Sequence, residues 1–344
     1  MKMDFNWESV NGLARALGGR VELLEKVFKE KGLTPAMIQK IVASGFASDF
    51  FDIGDEIMTT YTATDGTVYD FPWLVVDFRD VYWENDPESH PGMVLQAKYA
   101  TAEGVPYDAP ENTEVDSEIE STAQEGWYYF GKNGNVYTAL NLNVGDELPF
   151  DSYTSIHKCI YNERDIVANG YSNYELSAVR QWLNSDNSAG EWWTPSHLGD
   201  VAPDQASTLN GFMAGLSADF IEVLIPTKIK YLFKNNAVVM YDKMFLPSYE
   251  EMYGVNSNDA NGIEGPYFQY WKEKTGLSFP NNSNNNGRIV TTVNGIITIP
   301  GCWTRTSGDY ITVQQLHVMN SGSFFGGANV LKTLFYTLPC CVIS

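Results

Sequence analysis

The chain is poor in the residues from which most recognisable chemistry is built. Its four histidines, His90, His157, His197 and His317, form no His-x-x-x-His or His-x-Glu pair, so local spacing offers no zinc site. Four cysteines, Cys159, Cys302, Cys340 and Cys341, are too sparse for a disulfide framework. The last two are adjacent, a spacing that rarely closes a comfortable bridge. No G-x-G-x-x-G, Walker or G-x-S-x-G sequence is present, so neither a phosphate-cradling loop nor a nucleophile elbow is expected. No window reaches the roughly 18 consecutive apolar residues of a membrane span, and no basic start runs into an apolar stretch as in a secretory signal. The expectation is a protein made in a bacterial cytoplasm, with no signal peptide and no membrane insertion.

Positive charge is scarce as well. Lysine and arginine total 22 against 43 acidic residues, a formal net charge of −21. The imbalance is concentrated: residues 51–150 hold 20 acids and three bases, whereas residues 1–50 are nearly neutral. A field of that sign repels nucleic-acid backbones, so nucleic acid is excluded as a partner.

Aromatic residues, by contrast, are abundant, with 9 Trp, 20 Tyr and 18 Phe. Together with 29 Gly they point to a β-rich, loop-rich globular architecture rather than a disordered chain. Residues 1–50 read as three short helices. Phe5, Val10, Leu13 and Leu17 mark the first and Val21, Leu24, Val27 and Phe28 the second. In the third, Thr34 is the N-cap, Pro35 the first helical residue, and Ile38 and Ile41 the apolar stripe. From about residue 52 the texture turns to strands, with hairpin turns expected at Asp65-Gly66, Asn133-Gly134 and Asn294-Gly295. The acidic stretch from Ala100 to Glu125 reads as a solvated loop, and "NNSNNNG" at 281–287 as low complexity.

Further on, "SNYELSAVRQWLNS" reads as one helix capped by Ser172 or Asn173, with Leu176, Val179 and Leu183 on a shared face. "SADFIEVLIP" gives a shorter helix ended by Pro226. "LPSYEEMYGV" gives another, in which Ser248 and Glu251 have capping-box spacing. The pair Glu250-Glu251 reads as solvated helix residues rather than a catalytic dyad. A stretch from Asn256 resembles a calcium loop only faintly, since it lacks alternating Asp ligands and has Tyr267 where the bidentate Glu belongs. Nothing nominates a nucleophile with its base, so no enzyme, no metal and no cofactor are expected.

Several segments of the C-terminal half nevertheless follow one order. A helix ending R-x-W-L-N (Arg180 to Asn184) precedes "FLPSYEEM" (245–252), a W-x-R-[ST] strand (Trp303 to Thr306), "LHVMNSGSF" and the closing "LPCCVI". This order resembles the lectin-like domains of phage and gut-bacterial proteins over roughly residues 150–344. Where that family closes on a "VRPAL"-type strand, this chain has "TLPCCV" and lacks the Arg. The resemblance implies an α+β fold: a C-type-lectin-like C-terminal domain with β-hairpins and two or three helices, akin in outline to formylglycine-generating enzymes. A β-rich region and a small N-terminal helical module precede it. The corresponding division is 1–50 as a helical docking module, 51–150 as a β-rich spacer or the first part of the lectin-like region, and 151–344 as the ligand-binding domain.

It also implies kinship with the variable proteins of diversity-generating retroelements, including phage receptor-binding tips, with a variable region at 303–344. Randomising the first two positions of an AAC-type codon cannot produce Trp, Met, Gln, Lys or Glu. On that reading Trp303, Gln314, Gln315, Met319 and Lys332 are fixed scaffold. The candidate variable, ligand-binding positions are Asp309, Tyr310, Thr312, His317, Ser323, Phe324, Phe325, Gly327, Asn329, Leu331, Leu334 and Tyr336. Strand alternation places Leu316 and Val318 toward the core and His317 outward. Phe324 and Phe325 cannot both face inward on one strand.

The implied function is non-enzymatic: a receptor-binding protein of a virion tail or head fibre, diversified by a retroelement. It would bind a host cell-surface protein or glycan, attach to other virion subunits through residues 1–50, and assemble as a homo-oligomer such as a trimer. Two alternatives stand beside it. One is a structural virion protein whose lectin-like fold binds only other subunits. The other is a formylglycine-generating type of oxidoreductase, whose cysteine pair could come only from Cys302, Cys340 and Cys341.

Overall fold

The computed structural model describes residues 33–109, 122–124, 128–133, 136–149, 155–159, 173–196, 201–233, 236–254, 263–275, 292–294, 302–307, 314–318, 324–329 and 335–344. The architecture is α+β, built on antiparallel sheets. The first described helix, α1 (Pro35–Ala43), starts as its sequence dictates: the Thr34 side chain accepts from the Met37 N–H and Pro35 needs no partner for a missing N–H. Its buried residues are Ile38 and Val42. A four-residue turn, α2 (Ala47–Phe50), follows.

Strands β1 (Glu56–Thr62) and β2 (Val68–Tyr82) pair across the Asp65-Gly66 turn, where Gly66 takes a φ of 84° that other residues rarely adopt. The Asp65 carboxylate accepts the Thr67 N–H and holds that turn. β1 alternates buried and exposed, as a strand with one wet face should. β2 is instead buried continuously from Phe71 to Asp77, because layers cover both its faces. β3 (Ser89–Ala97) pairs with β2 through a register shift between Val75 and Asp77.

Next come β4 (Tyr128–Asn133), β5 (Val136–Leu140) and β6 (Ser155–Cys159), a sheet in the order β5-β4-β6. Its small core is Ala123, Tyr129, Leu148 and Ile156. β4 and β5 pair up to Asn133↔Val136; Gly134 of the expected Asn-Gly turn lies outside the described residues. Helices α3 (Ala178–Leu183), α4 (Asp204–Thr208) and α5 (Ala218–Val223) precede the hairpin of β7 (Thr227–Phe233) and β8 (Asn236–Asp242). The remaining elements are β9 (Met244–Phe245), α6 (Tyr249–Tyr253), α7 (Gln269–Thr275), β10 (Cys302–Ser307), β11 (Gln314–Val318), β12 (Phe324–Asn329) and β13 (Cys340–Ile343).

The central sheet has the order β1-β2-β3-β13-β9. β13 thus lies between a strand from the first hundred residues and one from the 240s, with Cys341 opposite Leu95 on one side and Met244 on the other. One aromatic-rich core spans α1, β1 to β3 and the C-terminal half. In it Tyr61 stacks on Phe212 at 5.2 Å, Phe71 meets Trp73 edge-on at 5.3 Å, and Trp73 meets Phe220 at 5.4 Å.

Where the structure is described, α1 and β1 to β3 share a core with β9, β13 and α5. Three expectations change in this light. The start of the acidic stretch is not solvated: Ala100, Thr101, Val105 and Tyr107 are fully buried, because this chain crosses under the returning segment at Phe335 and Thr337. "SNYELSAVRQWLNS" is two elements, a 3-10 turn at Tyr174–Leu176 and then α3. The break comes from Ser177, which is extended and uses its hydroxyl to cap the Arg180 N–H. Glu250 and Glu251 are not solvated, as described below. The helices expected before residue 33, the "NNSNNNG" tract, residues 256–262 of the loop from Asn256 and residues 295–301 after the Asn294 turn lie outside the described residues.

Candidate functional site

β10 enters the core at Cys302 and Trp303. Trp303 is fully buried; its indole N–H donates to the Val105 carbonyl at 2.8 Å and its ring meets Phe335 at 4.5 Å and Tyr107 at 5.4 Å. The Trp303 main-chain N–H donates to Tyr336 O at 3.1 Å, and Val105 N–H donates to Phe335 O at 3.0 Å. Strand β10 and the segment at Phe335 therefore lie side by side in the core. β10, β11 and β12 form an antiparallel sheet in that order. Residues 308–334, the C-terminal excursion, are thus held at both ends and contribute strands β11 and β12.

Beyond Trp303 the strand is fixed by charge. Arg305 is 1% exposed. Its guanidinium donates to Lys230 O at 2.9 Å, Leu246 O at 2.7 Å, Glu251 Oε2 at 2.6 Å and the main-chain O of Glu264. Glu251 occupies its place because the capping box at the start of α6 forms as its spacing predicts: Oε2 accepts from Ser248 N–H and Ser248 Oγ from Glu251 N–H. Its other oxygen faces Arg79 of β2 at 3.3 Å. Burial alone would raise the Glu251 carboxyl, but Arg305 and Arg79 outweigh it and hold the group below the usual carboxylate range.

Two neighbouring carboxyls move the other way. Burial pushes Glu264 up to about 7, with Arg305 only partly opposing, and it pushes Asp77 up to about 6 against the pull of Arg79. Glu264 Oε1 accepts from Leu232 N–H at 3.0 Å and its Oε2 pairs with the Thr306 hydroxyl, whose oxygen accepts from Tyr249 N–H at 2.7 Å. Glu250 Oε2 accepts from Glu264 N–H at 2.7 Å. The expected solvated acid pair is therefore the buried hub joining α6, β7 and β10. The missing sequence signal was a partner in the distance: Arg79 and Glu251 are 172 residues apart.

The R-x-W-L-N residues have the same kind of role. Arg180 forks onto Asp242 at 2.7 and 2.9 Å, Trp182 Nε1–H donates to Asn210 O at 2.8 Å, and Leu183 is buried. The Asn184 amide exchanges two hydrogen bonds with the Met244 backbone, at 2.7 and 3.0 Å, as a neighbouring strand would. The residues that carried the family resemblance thus build the frame around the C-terminal excursion.

Of the candidate variable positions, β11 and β12 bring together His317, Phe324, Phe325, Gly327 and Asn329. The register sets His317 opposite both Trp303 and Phe325, and Val318 opposite Cys302 and Phe324. Phe324 and Phe325 are successive positions of β12, which alternate between the two faces of a strand. Tyr336 sits half-buried at the base of the excursion, bridged to Cys302. Asp309, Tyr310, Thr312, Ser323, Leu331 and Leu334, and the side chains of β11 and β12, lie outside the described residues.

Cys302, Cys340 and Cys341 are buried free thiols. Burial pushes Cys302 up to about 12 and the other two well above the ordinary thiol range. Among the described residues no group of three His, Cys, Asp or Glu could hold a metal ion, and no helix is long and apolar enough to cross a membrane.

Residues 154–343, more than half of the chain, match the model of a family described as a domain of unknown function, DUF6273. No curated protein and no solved structure matches the chain.

Proposed function

The chain belongs to the DUF6273 family, and from that premise we propose that it is a non-enzymatic binding protein with a C-type-lectin-like fold, its ligand surface carried by the excursion between Ser307 and Phe335. The observation that carries this reading is the clamped base. Both ends of the excursion are pinned in the core by Trp303, Arg305 and Phe335, so sequence between them can change while the frame keeps its own contacts. Such a division of labour suits a segment diversified by a retroelement, with Trp303 among the residues that the mechanism leaves fixed.

The biological setting in this reading is a phage virion. The protein is a tail or head-fibre tip that binds a host surface protein or glycan, attaches through its N-terminal residues to other virion subunits, and acts as a homo-oligomer. Affinity comes from aromatic and polar contacts of the excursion, multiplied over copies on the particle. The buried, raised cysteine thiols weigh against a formylglycine-generating type of oxidation, since a thiol must ionise to act as nucleophile or metal ligand.

The test exchanges residues 309–334 for an unrelated composition while keeping Trp303, Arg305 and Phe335, and compares adsorption to host cells with thermal stability. The expected result is lost or redirected adsorption with an unfolding temperature close to the parent's. Unchanged adsorption by a folded variant refutes the reading and favours a structural virion subunit.

A further inference from the structure

The joint between β10, β7 and α6 buries three carboxyls, Glu250, Glu251 and Glu264, each no more than 2% exposed, together with the guanidinium of Arg305. Of the five N–H donors of Arg305, four are taken by Lys230 O, Leu246 O, Glu251 Oε2 and the main-chain O of Glu264. The hydrogen bonds of the Glu264 carboxyl itself run instead to uncharged groups, the Leu232 N–H and the Thr306 hydroxyl. An ionised Glu264 would thus be a buried anion held by neutral donors, with the Glu250 carboxyl accepting its own N–H at 2.7 Å.

We propose that Glu264 is a proton-operated latch: with the carboxyl neutral it closes the joint of β10 on β7 and α6, and ionisation loosens that joint.

The remaining neighbours set the sign. From β10, Arg305 favours the ionised form through space, but less than burial opposes it. From α6, Glu250 opposes ionisation, while Glu251 is neutralised by Arg305 and by Arg79 of β2. From the segment before residue 110, the buried phenol of Tyr107 adds no charge. β7 contributes the Leu232 N–H and the Lys230 carbonyl. The Thr306 hydroxyl permits both states: it donates to the carboxylate, or accepts from the carboxylic acid, while still accepting from Tyr249 N–H. Only the charge changes, and opening the joint relieves that charge by letting water reach it. Since β10 leads into the excursion, the latch sits at the root of the proposed ligand surface, but it operates whether or not that surface binds anything.

Hydrogen exchange measures the latch without a ligand. The reporters are the amides of Leu232, Tyr249, Glu264 and Arg305, the last donating to Pro247 O at 3.1 Å. If opening returns a group of pKa about 7 to its ordinary value, linkage raises the opening constant about tenfold between pH 6 and pH 8. The expected result is that loss of protection at these four amides, after correction for intrinsic exchange, and no pH response in Glu264→Gln. A response in the variant equal to the wild type's, or none in the wild type, overturns the proposal. Should the variant not fold, the carboxyl carbon of Glu264 in the wild type decides by NMR. A titration midpoint near 7 upholds the latch, and one below 5 overturns it.

Discussion

Glu251→Gln is the perturbation that tests the buried charge network most sharply. The amide keeps the size and the acceptor oxygen of the carboxylate, so the capping box at Ser248 can persist. What it removes is the anion 2.6 Å from Arg305 and 3.3 Å from Arg79. Arg305 is then a guanidinium at 1% exposure whose hydrogen bonds run to uncharged oxygens, with the Glu264 carboxyl acting on it only through space. Removing one partner of a buried pair costs about 3–5 kcal/mol, because the other is left uncompensated. For a chain of this size about 2 °C of unfolding temperature goes with each kcal/mol, so the drop is about 6–10 °C. Urea unfolding followed by tryptophan fluorescence supplies the free energy. Arg305→Met should cost a similar amount by stranding Glu251. The double variant should cost less than the sum of the two, with a coupling energy of at least about 2 kcal/mol. A cost under about 1 kcal/mol for Glu251→Gln, or strict additivity, would refute the account of Arg305 as an ion held in place by its counter-ion.

Asp77, pushed up to about 6 from 3.8 by burial, binds its proton more tightly folded than unfolded. Its contribution is complete below pH 4 and lost as pH rises through 6, at most about 3 kcal/mol; Asp77→Asn should flatten unfolding free energies over that window. Glu251 has the opposite sign, since its folded value is depressed: its contribution is present above the unfolded carboxyl range and lost on acidification, a loss that Glu251→Gln should abolish. In a Cys159→Ser variant no thiol should react quickly with a disulfide reagent until denaturant is added, as Cys302, Cys340 and Cys341 are buried; one fast thiol in the native state contradicts the packing of β10 or β13. Gly211→Ala should destabilise by about 2 kcal/mol or more, because the new methyl would lie 2.3 Å from the Ser185 carbonyl oxygen, and calorimetry would read it directly.

What the sequence declared was local. The Asp65-Gly66 turn, the Thr34-Pro35 helix start, the Ser248–Glu251 capping box and the helix stop before Pro226 each rest on groups a few residues apart. What it concealed depended on distant partners. Glu251 looks like an ordinary exposed helix acid until Arg79 and Arg305 arrive from other strands, and Glu250 until the Glu264 N–H does. The break at Ser177 was nearly legible: a serine capping three residues onward competes with one continuing helix, and the apolar spacing concealed it. Arg305 could be found only as part of a motif, since no composition or period marks an arginine for burial. The acidic tract misled because charge density was averaged over a stretch whose first residues pass beneath Phe335.

The place of β13 in the central sheet also bears on how the molecule comes into being. β3 ends at Ala97 and its partner begins at Cys340, so the two strands leave the ribosome far apart in time. At about 5–20 residues per second the interval is on the order of 10–50 s. Throughout it the growing polypeptide carries an unzipped strand, Met93 to Gln96, whose residues end fully buried. Such an edge is a template for pairing with another nascent chain. Recombinant yield should therefore depend on translation speed and on chaperones that shield β3, more than on the stability of the finished protein.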